Sequence, residues 1–129
     1  MRLDVYWVEG FFPKAGLASL PVVFRITSDV DVTLAAKMDL YELALWREHE
    51  GEDGVGIVAR GQIGPIRGEV DVGPGRPLYR VHDLLAYDRD LLIPAGRFRL
   101  GAGLRVFVES RGDYAPQILR ATREVLIPE

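Results

Sequence analysis

A chain of 129 residues, 48% hydrophobic and 27% charged, is long enough to bury a core of its own and reads as a single folded domain, 1–129. The absence of cysteine excludes disulfide scaffolds, thiolate metal sites and cysteine nucleophiles. A formal charge of −3 lacks the cationic surplus that phosphate neutralisation requires, so nucleic acid is not an expected partner.

In "RLDVYWVE", Leu3, Val5 and Trp7 alternate with Asp4 and Tyr6, the period of a strand. Asp4 and Glu9 also interrupt the apolar stretch that a signal peptide needs, and no apolar run is long enough to span a membrane. A cytoplasmic or virion-associated protein is therefore expected. "GFFPKAG" is a loop by its breakers, and it carries Phe11 and Phe12 between them. "PVVFRIT" is a β-branched strand, "SDVD" a turn, and "VTLAA" a third strand. In "AAKMDLYELALWREHE", Leu34, Met38, Tyr41 and Leu45 would share a helical face. Tyr41, Leu43 and Leu45 also alternate with Glu42, Ala44 and Trp46, and the β-hairpin with "VGIVARGQI" is the preferred reading.

Between those two segments lies "HEGEDGVGIVARG". Gly54-x-Gly56-x-x-Ala59 has the spacing of a dinucleotide-binding turn. Such a turn must follow an apolar strand and open a helix, so that amides and the helix dipole meet a pyrophosphate. Here it follows Glu50, Glu52 and Asp53, which repel phosphate, and precedes a β-branched run ending at Gly61. A polar turn accounts for the same residues. His49 with these acids could face a hard cation, but consecutive side chains in a turn diverge rather than converge.

"EVDV" is a short strand between Gly- and Pro-rich turns. "LYRVHDLLAYDRDLLI" begins as a strand and supports a short helix near 81–92 through Val81, Leu84, Leu85, Leu91 and Leu92. "RFRL" and "LRVFVES" are alternating strands, "RGDYAP" a turn, and "QILRATREVLIP" the last strand. In "LIPAGRF", Leu92-x-Pro94 before Phe98 resembles the turn before a late strand of immunoglobulin-like sandwiches, with Phe98 where a corner tyrosine would stand. About eight short strands with a turn signal every eight to twelve residues describe an all-β antiparallel sandwich, immunoglobulin-like or jelly-roll-like.

Charge is unevenly spread. Residues 29–53 hold eight acids against Lys37 and Arg47, and residues 97–123 hold six arginines against Glu109 and Asp113. Internal pairing of the two segments is the preferred expectation; the other is head-to-tail association. Fourteen arginines against two lysines, no asparagine and two glutamines fit a thermophile, and equally a GC-rich genome.

The catalytic signatures H-E-x-x-H, G-x-S-x-G and the P-loop do not occur, and His49 and His82 are the only histidines. Arg111-Gly112-Asp113 is the integrin-recognition tripeptide, which chance explains in so Arg- and Gly-rich a chain. The expected function is that of a non-enzymatic structural or adaptor subunit, without cofactor or metal. It would assemble with itself as a homo-oligomer or with a larger protein partner in a bacterial complex or virus particle. Candidate contact residues are Phe11, Phe12, Trp46, Tyr79, Arg97 and Arg99. One alternative is a carbohydrate-binding module that stacks sugar on Trp46 or Tyr79. Another is a hydrolase with dispersed carboxylates such as Glu42, Glu69 and Glu109.

Overall fold

The computed structural model describes residues 1–7, 21–47, 57–58, 61–83 and 95–127. Among them every regular element is a strand, and every strand pairing is antiparallel. In chain order these are β1 (Arg2–Trp7), β2 (Pro21–Thr27), β3 (Val32–Ala35), β4 (Met38–Arg47), β5 (Ile57–Val58), β6 (Gly61–Ile63), β7 (Glu69–Val72), β8 (Leu78–Asp83), β9 (Gly96–Ser110) and β10 (Asp113–Ile127). The helix expected near 81–92 is not what begins there. Val81 to Asp83 continue β8, because Val23 and Val22 of β2 pair with Val81 and His82; residues 84–92 lie outside the described set.

The strands form two sheets. The small one has the order β1-β2-β8. In the large one, β3 and β4 act as a single bent strand along β9, with β7, β6 and β5 on its other side. β10 covers the far edge of β9 from Asp113 to Ile127. β1 packs beside β10 and β8 beside β6, so the two sheets meet along both margins.

Alternation puts one face of each strand into a common core, as a half-buried antiparallel sheet requires. Val22, Phe24 and Ile26 of β2 meet Leu43 and Leu45 of β4 and Leu100, Leu104 and Val106 of β9 in one apolar cluster. The preference for strand over helix in residues 38–47 holds because Leu43 and Leu45 point inward while Glu42, Ala44 and Trp46 face the other way, each opposite a residue of β9. Tyr41 departs from that alternation. It is the extra residue of a β-bulge, since Leu40 pairs with Leu104 but Glu42 with Gly103. The bulge turns Tyr41 outward to 44% exposure.

The margin between β1 and β10 is tied by arginine. Arg123 of β10 stands over the Tyr6 ring at 4.5 Å, and Arg25 of β2 at 5.7 Å. Arg2 and Arg25 both bond Asp4. Desolvation works to raise the Asp4 pKa, but the bonds and charges of the two arginines outweigh it and hold the carboxyl below its ordinary value.

β9 and β10 are longer than the sequence suggests. "RFRL" and "LRVFVES" are one strand, because Gly101, Ala102 and Gly103 stay in register with β10. "RGDYAP" is strand from Asp113 onward. Only Arg111 and Gly112 form the turn, at φ values of 55° and 85°, the left-handed pair of a type I′ hairpin. Arginine is costly there, whereas asparagine tolerates that region. Arg111→Asn is therefore expected to raise stability by about 0.5–1 kcal/mol, seen as a higher melting temperature in calorimetry.

Candidate functional site

The candidate site is built on the outer face of the large sheet, along β9, β10 and the β3–β4 strand. Outward positions of such a sheet are ordinarily polar. Here charge and apolar side chains alternate in rows set by the strand register. Asp39 of β4, Arg105 of β9 and Ile118 of β10 form one row. The next rows toward the hairpin turn are Phe107 with Pro116 and Glu109 with Tyr114. In the opposite direction Glu42, Gly103 and Arg120 share a row, with Tyr41 displaced beside them by the bulge.

The acidic and arginine-rich segments meet on this face. Arg105 bonds Asp39 Oδ2 through both Nε (3.2 Å) and Nη2 (2.8 Å). Arg120 bonds Glu42 Oε2 at 3.0 Å and stands over the Tyr41 ring at 5.8 Å. The internal pairing expected from the charge blocks is thus observed at these two pairs. In both, the arginine is the more exposed partner: 43% against 24% for Arg105 and Asp39, and 61% against 43% for Arg120 and Glu42. The surface at these rows is guanidinium first. A shallow depression lined by Asp39, Leu40, Tyr41 and Arg105 opens beside the bulge.

Beyond these pairs the β9–β10 hairpin runs past β4 and along β3 to its turn, forming an arm of the large sheet. Every residue from Asp113 to Ile118 is exposed, including Tyr114 and Ile118. The Tyr114 hydroxyl donates to Glu69 Oε1 of β7, which ties the arm across the sheet. That bond, with desolvation and the Glu69 charge added, pushes the Tyr114 pKa up to about 12. The raised value means that the bond supports the fold below the ordinary tyrosine pKa of 10.0 and is lost as pH rises through about 12. Ultraviolet titration should therefore show one of the five tyrosines ionising late. Glu69→Gln should bring that step back toward 10.0; an unchanged late step would refute the assignment.

The contact residues read from the sequence fall in three places. Phe11 and Phe12 lie outside the described residues. Trp46 is on the outer face opposite Arg99, but it is only 9% exposed, because its ring lies against Gly101. It fills the sheet surface and is no open stacking platform. Arg99 is paired in register with Glu124, and Arg97 makes an ion pair with Glu124 at 3.3 Å. Tyr79 is exposed on the small sheet, opposite Arg25, away from this group. The structure therefore brings Trp46, Arg97 and Arg99 to one face and leaves Tyr79 on another. Residues absent from that set, Tyr41, Tyr114, Pro116, Ile118 and Leu126, are also exposed on this face. The signal for three of them was the spacing Tyr114-x-Pro116-x-Ile118, hidden because Pro116 reads as a breaker.

The residues considered for chemistry are dispersed. His82 is half-buried on β8. Burial lowers its pKa, against an opposing pull from Asp83. Glu42, Glu69 and Glu109 each bond a group of the protein, namely Arg120, Tyr114 and the Gly112 N–H. No group of three or more metal-ligating side chains occurs among the described residues, and no helix there is long and apolar enough to cross a membrane. His49 and its neighbouring acids lie outside that set.

No protein-family model and no curated protein matches the chain. Among solved structures, a protein from Archaeoglobus fulgidus aligns over 100% of this chain and 98% of its own, at 7% identity and a TM-score of 0.40. That level of likeness transfers neither a fold name nor a function.

Proposed function

We propose that this chain is a contact subunit, a non-enzymatic β-protein whose work is protein–protein assembly through the outer face of the β9–β10 arm. The observation that carries the reading is the stripe of Tyr114, Pro116 and Ile118, all exposed on the outer face of β10 beside Glu109, Phe107 and Arg105. Apolar side chains held in register on the outer face of a sheet bury little against the fold that carries them, although Tyr114 is tied to it through Glu69. They provide what a partner can bury. The arginine-topped pairs at the base of the arm supply a polar rim.

The reading requires the stripe to be dispensable for folding. Ile118→Asp is expected to leave the melting temperature within about 2 °C, as a surface substitution does. A fall of more than about 5 °C would assign Ile118 to the protein's own core and end the contact reading.

A further inference from the structure

Resting on that contact reading, we infer that the partner of the arm is a second copy of this chain, stacked face to face on it about a two-fold axis that passes over the Phe107–Pro116 pair. The free edge of β10 is interrupted by a proline. Pro116 holds its place opposite Phe107 in an unbroken ladder. Its missing N–H therefore falls on the side away from β9, where an added strand would need it. Strand addition along this edge is blocked at its middle, and the face is left as the surface for a partner.

The pattern on that face is self-complementary. A two-fold axis in the plane of contact, perpendicular to the strands and centred on Phe107 and Pro116, exchanges position 105 with 109 on β9 and 114 with 118 on β10. Glu109 of one copy then lies over Arg105 of the other, and Tyr114 lies over Ile118. Arg105 uses Nε and Nη2 on Asp39, which leaves Nη1 for a second carboxylate. Glu109 receives the Gly112 N–H on Oε1, which leaves Oε2. Arg120, already neutralised by Glu42, falls over the Arg111–Gly112 turn, where Arg111 stands between Glu109 and Asp113. The face thus carries Glu109 toward the tip, the Arg105 guanidinium at the base and apolar side chains between, which is the arrangement an isologous contact satisfies twice.

The size of the contact sets its strength. A face about 25 Å long and two to three strands wide covers roughly 300 Å² per copy, well under the ~800 Å² per partner of a standard interface. The pair is therefore dissociable and fills at high protein concentration.

The chain's lack of cysteine allows a positional test. Phe107→Cys places one thiol per copy at the axis and keeps Pro116, so the edge of β10 stays blocked. Glu109→Cys places the thiols about 14 Å apart along the strands, beyond bridging. Ile66→Cys is an exposed control on another part of the surface. Under mild oxidation at high concentration, Phe107→Cys is expected to form covalent dimer at least tenfold faster than Glu109→Cys or Ile66→Cys. Adding Ile118→Asp to Phe107→Cys should abolish that advantage. Equal rates for the three single variants, or faster linking through Glu109→Cys, overturn the pairing. The contact reading itself fails on a separate measurement, the melting temperature of Ile118→Asp. A stable Ile118→Asp with no Phe107→Cys advantage therefore removes the second copy as partner while leaving the arm as a contact surface.

Discussion

Leu104→Ala is expected to destabilise the protein by about 3 kcal/mol and to lower its melting temperature by roughly 10 °C. Leu104 is fully buried at the middle of β9, paired with Leu40 of β4 on one side and Leu119 of β10 on the other. Removing three carbons from the centre of that row leaves a void that the neighbours cannot close. Both flanking strands are held by their ladders, and across the core Phe24 and Ile26 are themselves fully buried. The loss therefore combines the transfer free energy of the missing atoms with the cavity they leave. Chemical denaturation of the variant checks it. A loss below about 1 kcal/mol would mean that the row collapses freely and that the sheets are not packed as described.

Gly64→Ala should have an effect of similar size for a different reason. Gly64 follows β6 with φ at +86°, a region that L side chains rarely adopt. A Cβ there would stand 2.5 Å from the Ala36 carbonyl oxygen and 3.2 Å from Arg80 Nε. Ala36 marks the bend between β3 and β4, where its N–H bonds the Gly68 carbonyl at 2.8 Å. The added methyl must push backbone at the one place where the β3–β4 strand changes direction. Conformational strain of about 1 kcal/mol and the displaced carbonyl together should cost about 2–4 kcal/mol. Gly75 isolates the first term. Its φ is +72°, and nothing lies within 4 Å of its Cβ position. Gly75→Ala should lose only about 1 kcal/mol. Equal losses at the two positions would show that the close approach to Ala36 does not exist.

The class of the fold was legible because burial imposes a period of two. "PVVFRIT" and "EVDV" are strands with the limits their composition suggests. What alternation cannot reveal is an inserted residue. The bulge at Tyr41 keeps Leu43 and Leu45 inward but sends Tyr41 out, so an aromatic that would be assigned to the core becomes surface. Breakers misled in the opposite direction. Gly101 and Gly103 sit inside β9 because the first gives the Trp46 ring its place, where a Cβ would stand 2.7 Å from it. Pro116 sits inside β10 because an edge strand can lack one N–H without losing its ladder.

The charge blocks were visible as composition, and their pairing followed from the adjacency of β4, β9 and β10, which local sequence does not encode. Trp46 shows why an aromatic cannot be assigned to a site from sequence. Its exposure depends on whether its diagonal neighbour on β9, Gly101, two residues from its ladder partner Arg99, is glycine or anything larger.

The account as a whole rests on the outer face of the β9–β10 arm being a surface made to be covered by another copy. Sedimentation equilibrium over a hundredfold range of concentration tests it most directly, with the wild-type chain and Ile118→Asp side by side. The account predicts that the wild type moves from the 14.4 kDa monomer toward twice that mass as concentration rises, while Ile118→Asp stays at 14.4 kDa with its melting temperature unchanged. A wild type that remains at 14.4 kDa throughout, or a variant that associates as the wild type does, would contradict it.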